Sequence, residues 1–216
     1  METYQKNFID FIIQENALKF GEFTLKSGRV SPYFFNIGHI FMGQALAKLG
    51  QYYALALTQK QCQFDVLFGP AYKGIPLSVA TTMQLAEQYN LNVPYCFNRK
   101  EAKGHGEKGL AVGAPCNQKR VMIIDDVITD GTSKKEAIEF IQQEGGKVTG
   151  IIIALDRQEK AQDSPASPVQ LLEKNYQIPV ASIIQLEHII SYIRESTQHQ
   201  KHLESILNYQ KQYGIK

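Results

Sequence analysis

The sequence is poor in cysteine, in surplus charge and in long apolar runs. Cys62, Cys96 and Cys116 are an odd, scattered set of three with no Cys-x-x-Cys spacing. That excludes a disulfide framework and a zinc site and points to reduced thiols in a cytoplasmic protein. The same reasoning argues against a thiol nucleophile. The formal charge is only +2, too mild to hold nucleic acid or a membrane surface, so any bound anion must be met by a local cluster. No run is long and apolar enough to span a bilayer. The first residues, Met1 to Lys6, carry no basic leader and no long apolar core, so no signal peptide is expected. There is no internal repeat, no low-complexity tract and no linker that would split the chain. Neither a Walker A loop nor the Rossmann glycine fingerprint is present. His39, His188, His199 and His202 show no metal spacing with carboxylates and read as surface or structural residues.

What is present fits one α/β domain over residues 1–216, with 44% hydrophobic residues. Phe8, Ile9, Phe11, Ile12 and Ile13 form the wide apolar face of a first helix. Phe23 to Asn36 alternates around Ser27-Gly28 and predicts two short strands. Helices are expected over Leu46–Leu57, Pro76–Tyr89 and Thr132–Glu144, the last closed by Gly145-Gly146. Strands are expected over Phe64–Phe68, Val93–Phe97, Val121–Ile124 and Val148–Leu155. This alternation implies a mostly parallel, doubly wound sheet, whose ligands bind at the carboxyl ends of its strands. Arg99–Ala114, rich in glycine and charge, reads as a long mobile loop. Gln158–Ser167 reads as a polar surface excursion, and the chain from Ser182 onward as helical.

The most informative stretch runs from Val121-Met122-Ile123-Ile124 into Asp125-Asp126 and on through Val127-Ile128-Thr129-Asp130-Gly131-Thr132-Ser133. A buried strand ends in two adjacent carboxylates, a tight loop follows, and a helix begins. The acids are placed to accept hydrogen bonds from sugar hydroxyls or metal-bound water. The loop offers backbone N–H groups, hydroxyls and a positive helix end, which together suit an anion, and Gly131 lets the backbone come close to a phosphate. The alternative is an acidic helix cap, with Asp130 or Thr132 as N-cap. It leaves Asp125 and Asp126 unexplained, because two like charges at the end of a buried strand need a ligand or a partner.

This motif resembles the phosphoribosyl-diphosphate motif of type I phosphoribosyltransferases. Three further segments narrow the resemblance to orotate phosphoribosyltransferases. They are Phe23 to Asn36, Gly69-Pro70-Ala71-Tyr72-Lys73-Gly74-Ile75-Pro76, and Arg99-Lys100-Glu101-Ala102-Lys103-Gly104-His105-Gly106-Glu107. They follow in order over nearly the whole chain. Asp130 departs from the pattern, since the better-known bacterial members carry a small residue there; it adds negative charge beside the phosphate loop but leaves the backbone donors in place.

The resemblance implies a type I phosphoribosyltransferase-like sheet, a small N-terminal hood from about residues 1–40, and a mobile catalytic loop. It implies transfer of the 5-phosphoribosyl group from 5-phospho-α-D-ribose 1-diphosphate to N1 of orotate, with Mg²⁺ held by the donor and water rather than by a protein cage. Lys73, Lys103, His105, Asp125 and Asp126 are the implied catalytic set. Lys26, Tyr72, Arg99, Lys100 and the stretch Val127, Ile128, Thr129, Asp130, Gly131, Thr132 and Ser133 join them in binding the donor. Lys26, Phe34, Phe35, Thr129 and Arg157 are the implied orotate set, with Arg157 reading the carboxylate. The family's loop reaches the neighbouring subunit's site, so a homodimer with shared sites is implied.

Plainer readings stand beside these. Lys73 is otherwise a solvated turn lysine, Arg99–Lys108 a solvated loop, Phe34-Phe35 core, and Asp156 the salt-bridge partner of Arg157. Two other functions share parts of the pattern. A purine phosphoribosyltransferase would keep Asp125-Asp126 but not need Lys26, Phe35 and Arg157. A non-catalytic sensor of the donor would show an added DNA-binding domain or a degraded loop.

Overall fold

The computed structural model describes residues 1–100, 110–129 and 131–215. Lys103, His105 and Asp130 therefore lie outside the described residues, as does most of the expected catalytic loop.

The chain opens with helix α1 (Thr3–Gln14), whose Phe8, Ile9, Phe11 and Ile12 are buried. Strands β1 (Leu18–Thr24) and β2 (Val30–Phe35) then form a two-stranded antiparallel sheet. This is the hairpin expected around Ser27-Gly28. Helix α2 (Gly43–Gln59) follows, and then β3 (Val66–Phe68), α3 (Gly74–Tyr89) and β4 (Tyr95–Asn98). After them come β5 (Ala111–Gly113), β6 (Arg120–Asp125), α4 (Thr132–Gln143) and β7 (Lys147–Asp156). The chain continues through α5 (Pro168–Tyr176), β8 (Val180–Gln185), α6 (Leu186–Glu195) and α7 (Leu203–Tyr213).

Six strands form the main sheet in the order β5-β4-β3-β6-β7-β8, parallel throughout except for β5 against β4. The central strands are apolar on both faces, and alternate residues enter different cores. Met122, Ile124, Ile152 and Ala154 pack with α1, α2 and the hairpin, whereas Val121, Ile123, Ile151 and Ile153 pack with α4 and α5. That two-sided burial is why β6 and β7 read as near-continuous hydrophobic runs.

Three expectations are corrected and one helix is added. Residues 182–185 are not helical but belong to strand β8, which pairs with β7; its apolar run Val180 to Ile184 is too short for periodicity to separate a strand from a helix. Helix α5 was not expected, although Ser167 and Gln170 form a capping box and Pro168 stands in its first turn. The end of the expected long loop is strand, since Ala111–Gly113 pairs with Cys96–Asn98. Nor is Gln158–Ser167 simply a surface excursion: Glu159 bridges to Gly214, and Lys160 N donates to Tyr213 O at 2.8 Å.

Cys96 and Cys116 are buried free thiols with their sulfurs 3.3 Å apart. Their mutual hydrogen bond and burial raise the Cys96 thiol above its ordinary range, which keeps it protonated. No helix among the described residues is long and apolar enough to cross a membrane.

Candidate active site

Strand β6 carries its two acids to the carboxyl end of the sheet. Asp125 and Asp126 are only 7% and 8% exposed, so each carboxylate needs a partner. Asp125 Oδ1 accepts from the backbone N–H of Asp126 at 2.9 Å, and its Oδ2 forms a short ion pair with Lys134 Nζ. Asp126 Oδ2 pairs with Lys73 Nζ at 2.9 Å, and its Oδ1 accepts from Val127 N at 2.9 Å. The Tyr53 hydroxyl, fully buried, donates to the Asp125 carbonyl at 2.8 Å and fixes the strand end from α2. Burial raises the Asp125 carboxyl above its ordinary range; Lys134 opposes the shift and Asp126 adds to it.

Lys134 was missed by the sequence reading, and it alters the argument from charge repulsion. Part of the countercharge expected of a ligand is supplied by the protein itself. A signal for it existed. Lys134 falls in register with Ala137, Ile138 and Ile141 on the buried face of α4, a lysine in an apolar stripe, which is buried only when paired.

Lys73 comes from a tight turn between β3 and α3. A side chain on Gly69 would stand 2.1 Å from Gly74 O, and one on Gly74 2.7 Å from Gly69 C, so the two glycines allow the backbone to double back there. Lys73 Nζ also donates to Asn36 Oδ1 at 3.1 Å. The ammonium therefore joins the hairpin's end, the turn and the β6 acids in one contact set. Tyr72 is 68% exposed beside it, and Lys100 Nζ lies 5.0 Å from its ring centre. Asn98 Oδ1 accepts from Ala71 N at 3.0 Å, tying the end of β4 to the same turn. Arg99 is held at the root of the expected loop, its N–H donating to Leu110 O at 2.7 Å.

Past Asp126, Val127 is half-buried, Ile128 is buried and Thr129 is exposed. Gly131 has φ +81° and serves as the N-cap of α4, a backbone conformation that glycine adopts without strain. Thr132 and Ser133 are exposed at the first turn. The cap position is thus Gly131, with Thr132 the first helical residue rather than the N-cap; the alternative of Asp130 as cap lies outside the described residues.

A second charged group lies between the hairpin and the end of β7. Arg157 stacks over the Tyr33 ring with its guanidinium carbon 4.3 Å from the centroid. Its partner is not Asp156. Glu159 Oε1 accepts from Arg157 Nε at 2.8 Å and lies 2.6 Å from Nη2, while Asp156 Oδ1 accepts from Gln158 N. Nη2 also donates to Ser31 Oγ at 3.2 Å. Along β2 the side chains alternate: Phe35 is buried in the core, and Phe34 is half-buried against Phe23 with ring centres 5.5 Å apart. Lys26 is exposed in the hairpin turn, which Leu25 N closes on Arg29 O at 2.9 Å. Of the expected site residues, the structure thus brings Lys73 to Asp126 and Lys100 to Tyr72. It puts Arg157 with the hairpin residues Ser31 and Tyr33.

This arrangement pairs two strand-end acids with a glycine-shaped lysine turn and sets the N-terminus of α4, capped by a glycine, after them. Residues 38–188 match the family described as the phosphoribosyl transferase domain. The chain belongs to that family and is a phosphoribosyltransferase.

Its relatives narrow the class. It is 51% identical over 216 residues to an orotate phosphoribosyltransferase of Stutzerimonas stutzeri, covering 100% of both chains. It is 52% identical over 215 residues to one of Proteus mirabilis, again covering 100% of both. A crystal structure of the Francisella tularensis orotate phosphoribosyltransferase is similar at a TM-score of 0.88 and 41% identity, covering 96% of this chain and 99% of that one. Within the phosphoribosyltransferases, the chain belongs with the orotate enzymes.

Proposed function

We infer that the chain transfers the 5-phosphoribosyl group from 5-phospho-α-D-ribose 1-diphosphate to N1 of orotate. The products are orotidine 5′-phosphate and pyrophosphate, a step of pyrimidine nucleotide synthesis in the cytoplasm. The observation that carries this is identity of about half the residues over the whole length of orotate phosphoribosyltransferases.

On this reading Val127 to Ser133 receive the donor's 5′-phosphate, with N–H groups and hydroxyls before the helix end. Asp125 and Asp126 hold the ribose hydroxyls, while Lys134 opposes the upward pull of burial on the first of them. Lys73, Tyr72, Arg99 and Lys100 face the diphosphate, and Lys103 and His105 join them when the loop closes and excludes water. Lys26, Phe34, Phe35, Thr129 and Arg157 receive orotate, whose N1 attacks C1′ from the face opposite the leaving group. Charge develops on the departing diphosphate, and preorganised donors of this kind are each worth about 3–4 kcal/mol.

Adjacent carboxylates are the oxygen donors that suit Mg²⁺ when it also keeps phosphate and water ligands. No three His, Cys, Asp or Glu side chains converge among the described residues. The residues fit a Mg²⁺ carried by the donor, with Asp125 and Asp126 holding its water shell. When bound, the ion supplies countercharge to the leaving diphosphate.

The functional unit on this reading is a homodimer in which Lys103 serves the partner's site. The purine alternative is disfavoured by the Arg157 cluster, and a sensor by the intact sequence of the loop. Incubating the protein with orotate, donor and Mg²⁺ tests the reaction. Orotate absorbance should fall with one pyrophosphate released per orotate; consumption of a purine base in its place would replace the reading. Mixing Lys103→Ala with Arg157→Ala subunits tests the shared site. A freely exchanging mixture should recover on the order of one quarter of wild-type activity, since half the dimers then hold one intact site. Proven exchange without recovery would put Lys103 in its own subunit's site.

A further inference from the structure

The residue that holds Arg157, Glu159, has three other attachments. Glu159 has a side chain only 11% exposed. It accepts from the Tyr33 hydroxyl at 3.2 Å and lies 3.5 Å from Arg29 Nη1. Arg29 Nη1 also donates to Lys160 O at 3.0 Å, and its guanidinium lies 4.8 Å from the Tyr213 ring centre. The backbone of Glu159 bridges to Gly214, so its position is fixed from the hairpin, from the end of β7 and from the segment after α7.

Two consequences follow from the geometry. First, Glu159 takes the Nε and Nη2 side of the Arg157 guanidinium, with Ser31 Oγ on Nη2 as well. The Tyr33 ring covers one face of the guanidinium, and the Tyr209 side chain lies against both Arg157 and Glu159. A planar fork held on one side and stacked on one face has little rotational freedom, which suits it to a planar, carboxylate-bearing base. Second, two arginines and one glutamate leave one positive charge in the cluster. Without the carboxylate, two guanidinium groups that now converge on it would repel each other, and Arg157 would lose its fixed orientation.

We propose that Glu159 is a positioning residue for orotate, holding the guanidinium of Arg157 in place and trimming the cluster to the single positive charge that one substrate carboxylate requires. The proposal rests on the reading of Arg157 as the partner of that carboxylate. It assigns Arg29 the task of anchoring Glu159 from the hairpin.

The test is a set of steady-state measurements on whole, folded enzyme. Glu159→Gln keeps the shape and an acceptor for Tyr33 but removes the charge. It should raise the KM for orotate about tenfold while the KM for the phosphoribosyl donor stays within about twofold. Arg29→Gln, which spares Glu159 itself, should shift the orotate KM in the same direction and serves if the first variant does not fold. A variant lacking both Glu159 and Arg157 should be no worse toward orotate than Arg157→Ala alone, because Glu159 acts through Arg157. Three results would overturn the proposal. An orotate KM that falls in Glu159→Gln would make the carboxylate a competitor of the substrate. Equal losses for both substrates would make its role merely structural. If Arg157→Ala itself leaves orotate binding unchanged, the underlying reading of Arg157 fails and takes the proposal with it, a pattern distinct from the other two.

Discussion

The two charged regions of this molecule are built with opposite polarity. At the end of β6 two carboxylates are presented and two lysines support them, Lys134 on Asp125 and Lys73 on Asp126. Beneath the hairpin a guanidinium is presented and a carboxylate supports it, Glu159 on Arg157. Burial imposes the same demand in both places, since a charge taken out of water needs a counter-ion from the protein. The regions differ in what is left over. The β6 group balances, and it faces a helix N-terminus with an outward partial charge. The hairpin group keeps one net positive charge. On the proposed reading, the first suits neutral hydroxyls beside a phosphate, and the second suits a carboxylate.

The comparison breaks most visibly at the acids. Asp125→Asn with Asp126→Asn should leave a folded protein with almost no turnover. Measured activity near the wild-type level would remove the sugar-binding role, and failure to fold would make the acids structural.

Removing the supporting cation should act on stability instead. Lys134→Met leaves Asp125 buried without its counter-ion, a loss of about 3–5 kcal/mol at neutral pH. The sign with pH is fixed by Asp125. Its folded-state carboxyl is already raised by burial, and loss of Lys134 raises it further. An acid raised in the folded state is penalised only above its unfolded value. The deficit against wild type should therefore shrink as pH is lowered toward about 4. Denaturant unfolding at several pH values checks this, and a deficit independent of pH would show that Lys134 works through packing alone.

At the other region, Arg157→Ala should cost orotate binding about 2–5 kcal/mol with little effect on the donor, read from the two KM values. The smallest effect is expected away from both regions. Asp65 is held at a pKa of about 2 by hydrogen bonds from Arg120. Asp65→Asn should lower the Tm slightly at neutral pH. Because the native carboxyl is depressed, that difference should fade as pH falls from about 4 toward 2. This pair is a solvent-accessible control, and a large effect there would weaken the link drawn between burial and pairing.

How much of this was legible in the sequence depended on whether the information was local. Strand β6 and its acids could be read because a both-faces apolar run ending in Asp125-Asp126 is contiguous. The hairpin could be read because its turn and alternation lie within one stretch. Strand β8 could not, since its few apolar residues fit a helix as well. Helix α5 carried a legible start in Ser167, Pro168 and Gln170, but a polar stretch before it hid the boundary. The supporting charges were the least legible. Lys134 shows itself only if one asks why a lysine occupies an apolar stripe. Glu159 stands two residues after Arg157, but Asp156 is the nearer acid, and the contact of Glu159 with Tyr33 spans 126 positions of chain. These two counter-ions lie close in sequence to the groups they support, Glu159 two residues after Arg157 and Lys134 nine after Asp125, but neither belongs to the motif that marks the presented group.

Whether the two regions serve different substrates is decided by one crossed measurement. The KM values for orotate and for the phosphoribosyl donor are to be determined for Arg157→Ala and for the single variant Asp126→Asn, which retains enough charge balance at Lys134 to be assayed. A crossed pattern is expected, with Arg157→Ala weakening orotate alone and Asp126→Asn weakening the donor alone. If both variants weakened both substrates to the same extent, the division of the site into two oppositely built regions would be contradicted.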